Sequence, residues 1–89
     1  MAFTFEITQI SRLAQAHVGI LDGKLLEGAI VTGTIVHLVH GDQRLPLRVK
    51  GVVLDAAGRS DGALSVTVDL REQAMQLARV GDRLTAMEH

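Results

Sequence analysis

Histidine is the residue type in this chain best suited to metal binding or acid–base catalysis, and two of the four histidines are closely spaced. His37 and His40 form an H-x-x-H pattern inside a run of aliphatic residues that is typical of a β-strand. Because strand residues at this spacing point to opposite faces, the two imidazoles cannot bind one metal ion without a bulge. The pattern therefore predicts no metal site, and His17 and His89 have no partner identifiable from the sequence.

Nucleophilic catalysis requires a serine, threonine or cysteine beside a base. The chain has no cysteine, which also excludes disulfides and thiolate metal sites. Ser60 lies between Arg59 and Asp61 without a Gly-x-Ser-x-Gly elbow, and a turn-stabilising hydroxyl fits this context better. Asp55 and Asp61 are in turn-like sequence, and Asp69 is on the polar face of a predicted strand. We therefore expect no catalytic residues and no enzymatic activity.

The segment from Gly19 to Leu25 is the nearest match to a phosphate-binding loop. It has one residue too few between its glycines, and it lacks the Ser or Thr that would hold magnesium. We interpret Asp22-Gly23 instead as a hairpin turn. No cofactor is expected.

Arg44, Arg48 and Lys50 form the only local concentration of basic residues. Arg48 and Lys50 share the outward face of one predicted strand, and Arg44 precedes it at the turn. Such a stripe is usually a solvated face, and its functional alternative is contact with phosphate groups or with an acidic partner. No exposed aromatic residue accompanies it, which argues against binding single-stranded nucleic acid by stacking. These three residues are the candidate partner-binding residues.

Composition narrows the class of protein. Nine basic and ten acidic residues are mixed along the chain, so the basic stripe of an autonomous DNA-binding protein is missing. The N-terminus does not resemble a signal peptide, and no apolar run approaches the roughly 20 residues of a membrane span. With 89 residues, we expect one domain, 1–89, in the cytoplasm, with no DNA or membrane partner.

Alternation of apolar and polar residues is the dominant pattern, and it predicts β-strands. In chain order the predicted strands are 3–8, 17–21, 29–40 with a bulge or bend at Gly33, 45–53 with a bend at Gly51, 64–70, and a short last strand ending at Leu84. Residues 40–43 predict a turn, 55–62 a loop, and 71–79 a short helical turn. Pro46 cannot donate a ladder hydrogen bond, so it belongs at a strand start or on an edge. The pattern indicates an all-β barrel or sandwich.

Three stretches of the chain share a pattern of spaced glycines and aliphatic residues. The first joins Phe5–Ile7 to His17–Gly23, the second joins Leu26–Val31 to Gly33-Thr34, and the third joins Leu64–Leu70 to Val80–Leu84. Together they resemble the second, β-barrel domain of translational GTPases such as elongation factor Tu. The resemblance implies a small six-stranded closed or nearly closed β-barrel that serves as a platform for RNA or partner proteins. No nucleotide-binding domain accompanies it.

These observations favour a stand-alone, non-enzymatic module that binds a protein or RNA partner. The alternative is a structural protein that self-associates as a homo-oligomer. Two features motivate the alternative: the strand predicted over 29–40 is apolar on both faces, and the mean hydropathy is +0.26. Strands that are apolar on both faces need to be covered.

Overall fold

The computed structural model describes residues 3–54 and 63–86, so the loop predicted over 55–62 lies outside the described residues. The strands are β1 Thr4–Leu13, β2 Val18–Glu27, β3 Ile35–His40, β4 Gln43–Arg48, β5 Gly51–Leu54, β6 Ala63–Asp69 and β7 Arg83–Ala86, and helix α1 spans Gln73–Leu77. They form one sheet in the order β4-β3-β7-β1-β2-β6-β5, with every neighbouring pair antiparallel. The prediction of an all-β fold with one short helical segment is confirmed.

The core lies against one face of this sheet, and buried residues alternate with less buried ones most regularly in β6. In β6, Leu64, Val66 and Val68 are buried while Ser65 and Thr67 are less so, as the strand prediction required. Strands from both halves of the sheet contribute to the same cluster, and α1 covers part of it with Ala74 and Met75. The buried residues are Phe3, Phe5, Ile7, Leu21, Val36, Leu38, Leu47, Val49, Leu64, Val66, Val68, Ala74, Met75, Ala78 and Leu84. A sheet whose two ends line one core must be strongly curled.

The two outermost strands, β4 and β5, are consecutive in the chain and are joined through Val49 and Lys50. The Val49 N–H donates to the Thr34 carbonyl at 2.9 Å, on the β3 side, whereas the Lys50 N–H donates to the Thr67 carbonyl of β6 at 2.8 Å. The run predicted as one strand over 45–53 is therefore broken where its hydrogen bonds change sides. This break gives seven strands rather than six, and no ladder of hydrogen bonds joins β4 to β5 in the described sheet.

Asp22 and Gly23 do not form the predicted turn, because both lie inside the long strand β2. Gly23 pairs with Ile7 of β1 and with Leu64 of β6. An added Cβ at Gly23 would lie 2.0 Å from the Glu6 carbonyl oxygen, so glycine serves here to let two strands approach closely. The pairing register of β1 shifts between Ile7 and Gln9, next to this approach. A register shift of this kind is the mark of a β-bulge.

The segment 29–34 does not extend β3 as predicted. Gly28 directly precedes this segment, and Gly33 is its last residue but one. Their φ angles are 76° and 89°, which an extended strand does not allow. The Thr34 N–H donates to the Val31 carbonyl at 3.3 Å, which closes a turn. His17 is likewise not in a strand: it has a left-handed φ of 54° and ends a short 3-10 turn at the tip of the β1–β2 hairpin. The strand that is apolar on both faces therefore does not exist as predicted.

Candidate partner-binding surface

Strand β4 holds the predicted basic residues, and its alternation determines where they point. Leu45 is half-buried, and Leu47 and Val49 are fully buried. The intervening positions Arg44, Pro46, Arg48 and Lys50 are exposed. Arg44 is therefore part of the strand and shares its outward face with Arg48, rather than preceding the strand at the turn. Lys50 continues this face just beyond the end of β4. We call the three cations Arg44, Arg48 and Lys50 the β4 basic face.

The hairpin that begins β4 is formed by Gly41 and Asp42, as the turn prediction over 40–43 required. His40 pairs with Gln43, which leaves two residues in the loop. Gly41 has a φ of 59°, and Asp42 is not among the described residues with positive φ. A glycine at the first central position followed by a residue with negative φ is typical of a type II′ turn, whose twist matches a hairpin. This turn fixes the register in which Arg44 lies opposite Val39 and Arg48 opposite Ile35.

The side chains of the β4 basic face have no carboxylate partner in residues 3–54 and 63–86. Two other arginines of the described chain are paired, Arg83 with Glu6 at 3.6 Å and Arg71 with Asp69 at 2.8 Å, whereas the side chains of Arg12 and Arg79 contact backbone carbonyls instead. The only polar contact recorded for Arg48 uses its backbone N–H, which donates to the Glu72 carboxylate at 3.2 Å. Charges that have no intramolecular partner are free to bind an external anion.

The surroundings of the β4 basic face differ at its two ends. At one end, Arg44 lines a cleft of about 300 Å³ together with His37 and Glu27. At the other end, Lys50 is near the ion pair of Asp69 and Arg71. Hydrogen bonds from the Arg71 side chain and backbone, aided by the charges of Arg71 and Lys50, hold the pKa of Asp69 well below its usual range. Asp69 thus stays ionised and neutralises Arg71.

The backbone edge of β4 offers little to a further strand. Successive N–H groups of a strand point to alternate sides, and Val49 donates toward β3, so positions 44, 46 and 48 face away from β3. Pro46 has no N–H, and that of Arg48 is bound to Glu72. Only the Arg44 N–H remains without a partner in the described residues. This edge agrees with the prediction that Pro46 lies on an edge strand, and it leaves side chains as the means of binding.

The two histidines of the H-x-x-H pattern lie in β3 and have different surroundings. His37 pairs across the sheet with Pro46 and Thr85, in the less buried alternate row of β3. His40 follows Val36 and Leu38 in the other row, and its Nδ1 lies 2.8 Å from Asp82 Oδ2. Within the described residues no group of three potential metal ligands occurs. His89 lies outside these residues.

Asp82 is a residue whose role the sequence analysis missed. Besides contacting His40, its carboxylate accepts the Arg79 N–H at 2.9 Å, and its carbonyl accepts the Ile7 N–H at 3.0 Å. The turn before β7 is thereby bound to both β3 and β1. The Gly81-Asp82 turn signal was visible in the sequence, but the partners are distant along the chain.

The hydroxyl and carboxylate groups considered for catalysis are dispersed. Ser65 donates to Asp22 across the β2–β6 pair, which no local sequence signal predicted. Ser60, Asp55 and Asp61 lie outside the described residues. The arrangement of the described groups therefore offers unpaired cations on an exposed strand, and ion pairs elsewhere that serve the sheet.

Among the described residues, no helix has the length and apolar character needed to cross a membrane. Comparison of the whole chain with models of known protein families, with curated proteins and with solved structures finds no significant match.

Proposed function

We propose that this protein is a non-enzymatic, cytoplasmic binding module whose β4 basic face docks on an acidic surface of a partner protein. The observation that carries the proposal is the set of three exposed cations on one strand face, none with a carboxylate partner in residues 3–54 and 63–86. Clustered cations of this kind attract an acidic surface and orient it during docking. No cofactor takes part.

The mode of binding follows from the edge of β4. Strand addition needs a row of free backbone N–H and carbonyl groups. Pro46 and the Glu72 carboxylate remove two of the donors, so recognition uses the guanidinium and ammonium groups instead.

A protein partner is favoured over RNA because the chain has no exposed Phe, Tyr or Trp on which bases could stack. Phe3 and Phe5 are its only aromatic residues, and both are buried. Single-stranded RNA is usually bound by stacking its bases on exposed aromatic side chains. RNA binding through phosphates alone is the competing outcome of the experiment below.

The same proposal includes a barrel of the translation-factor domain 2 type. Counted through the break at 49–50, β4 and β5 are one bent strand, which would leave six. The hydrogen bonds of Val49 toward β3 and of Lys50 toward β6 support a sheet whose two ends meet along this strand. Such a barrel would present β4 on its outer surface as a rigid platform.

The proposal is tested by measuring binding of fluorescent polyglutamate and oligouridylate to the purified protein by anisotropy. We expect polyglutamate to bind, with an affinity that falls as salt is added. The triple variant Arg44→Gln/Arg48→Gln/Lys50→Gln is expected to bind about tenfold more weakly or worse, because each rim charge contributes a few tenths to about 1 kcal/mol.

Lys24→Gln is the matched control. Lys24 is exposed on β2, so this substitution removes one positive charge at a distance from β4. It is expected to bind polyglutamate like the wild-type protein. If the affinity for polyglutamate fell equally per charge removed in the triple variant and in Lys24→Gln, the β4 basic face would not be a specific binding surface. Binding of oligouridylate without binding of polyglutamate would refute a protein partner.

Self-association is the second candidate, and one observation favours it. Val31, in the turn before β3, is 61% exposed, and Ile35, the first residue of β3, is 42% exposed; a second copy could bury this aliphatic surface. Light scattering that finds only monomer at micromolar concentration would remove this candidate.

A further inference from the structure

A second surface with binding character lies beside α1. It is an open groove of about 720 Å³ between the distal half of β1 and the segment that runs from the end of β6 to the turn before β7. Its floor is apolar, and Ile10, Leu70, Met75 and Ala78 form it. Met75 and Ala78 are buried, and Ile10 and Leu70 are half-buried. The volume is within the range of ligand sites, roughly 300–1,000 Å³.

Gly19 lies beneath the floor. A Cβ at Gly19 would lie 2.7 Å from the terminal methyl of Met75 and 3.1 Å from a methyl of Leu70. Glycine in β2 thus lets Met75 pack down onto the sheet instead of filling the groove. Met75 is therefore buried beneath the groove, and the half-buried Ile10 and Leu70 with the exposed Val80 provide the apolar surface that a ligand can reach.

Among the residues that the structure describes, Arg12 and Arg79 are the only charged ones that line the groove. Arg12 Nη2 donates weakly to the Met75 carbonyl at 3.5 Å, and Arg79 Nη1 donates to the Ala78 carbonyl at 2.9 Å. These contacts hold the guanidinium groups beside the floor. Neither arginine has a carboxylate partner in the described part of the chain. The groove therefore combines an apolar floor with two positive charges that nothing in its lining neutralises.

We infer that this groove binds an extended peptide segment of a partner protein in which an aliphatic side chain adjoins a carboxylate. The aliphatic side chain packs on Ile10, Leu70 and Val80, above the buried Met75, and the carboxylate accepts hydrogen bonds from Arg12 and Arg79, for which a guanidinium is well shaped. An open groove suits an extended segment, since an enclosed cavity would be needed to bury a small molecule. The groove shares no residue with the β4 basic face, so the two proposals can fail separately.

The test is a titration of the full chain with a short acetylated and amidated peptide in which two leucines flank an aspartate. Binding is followed by the ¹³C methyl resonance of Met75 and by isothermal calorimetry. We expect the Met75 methyl signal to shift on binding. Affinity is expected to fall about tenfold in Arg12→Gln/Arg79→Gln, which keeps the length and polarity of both side chains but removes their charges.

Two altered peptides and one control variant separate the contributions. Replacing the aspartate by asparagine is expected to weaken binding as much as the double variant does, and replacing both leucines by serine is expected to abolish the Met75 shift. Lys24→Gln is expected to bind like the wild-type protein. The inference is overturned if the leucine–aspartate peptide does not bind, if Arg12→Gln/Arg79→Gln binds it unchanged, or if the serine peptide binds as well as the leucine peptide. Displacement of the peptide by oligouridylate at the same Met75 signal would also overturn it.

Discussion

At the scale of single residues, Gly23 is a position at which the fold has no room for a side chain. The carbonyl oxygen of Glu6 would lie 2.0 Å from an added Cβ, and the Phe5 ring would lie 2.7 Å from it. The first of these atoms is backbone inside the paired region of β1, so it cannot move without disturbing the β1–β2 ladder. Gly23→Ala is expected to lower the free energy of unfolding by about 3 kcal/mol, measured by urea denaturation.

Gly51→Ala is the matched control for this substitution. Its added Cβ would lie 2.7 Å from the Thr67 hydroxyl, and a hydroxyl can rotate away where a carbonyl cannot. We expect a loss of under about 1 kcal/mol. Similar losses in the free energy of unfolding of the two variants would show that the close approach of β1 to Gly23 is not the reason that glycine is required there.

What the sequence predicted about residues depended on how local the signal was. The outward direction of Arg48 and Lys50 followed from alternation with Leu47 and Val49, and the structure has both cations exposed. The contact of His40 with Asp82 could not be predicted, because the two residues are 42 positions apart and only the β3–β7 pairing brings them together.

At the scale of elements, strand predictions held where alternation was uninterrupted and were wrong where glycine had two possible roles. Strand β6 matched the pattern of Leu64 to Leu70 closely. The pattern predicts a turn at Gly23, which instead lets two strands approach closely, and a bulge or bend within a strand at Gly33, which instead belongs to a turn that precedes β3. A glycine with positive φ and a glycine that admits a neighbouring backbone are identical in sequence. Only the tertiary partner distinguishes them.

Two residues protect the edge of β4 against pairing with another strand. One lies in β4 itself, and the other directly precedes α1. Pro46 lacks a donor, and the Glu72 carboxylate occupies the Arg48 N–H. The double variant Pro46→Thr/Glu72→Ala would leave three outward donors free, at positions 44, 46 and 48. We expect it to self-associate by pairing edge to edge, seen in light scattering as species larger than the wild-type protein at the same micromolar concentration.

Pro46→Thr/Glu72→Gln serves as the control for edge pairing. The glutamine keeps an oxygen that can accept the Arg48 N–H, so this variant is expected to keep the wild-type mass. An unchanged mass in Pro46→Thr/Glu72→Ala would mean that the two residues do not protect the edge.

At the scale of the whole molecule, the central feature is that β4 and β5, the strands at the two ends of the sheet, are joined by only Val49 and Lys50. The resemblance to a six-stranded barrel could not indicate how the ends meet, since counting strands by sequence pattern treats 45–53 as continuous. The backbone hydrogen bonds show that this run is two strands. The Val49 N–H donates on the β3 side, and the Lys50 N–H donates to β6. One bent segment thereby holds together both ends of a sheet that hydrogen-bond ladders leave open.

Amide hydrogen exchange tests this junction without any substitution. The Lys50 N–H donates to the Thr67 carbonyl at 2.8 Å, whereas the Arg44 N–H, on the same side of the same segment, has no partner in the described residues. If the ends of the sheet meet as described, the Lys50 amide opens only when β5 and β6 separate. It should then exchange roughly 100-fold more slowly than the Arg44 amide, after correction for intrinsic rates. Equal exchange at the two amides would mean that the junction at Lys50 opens freely.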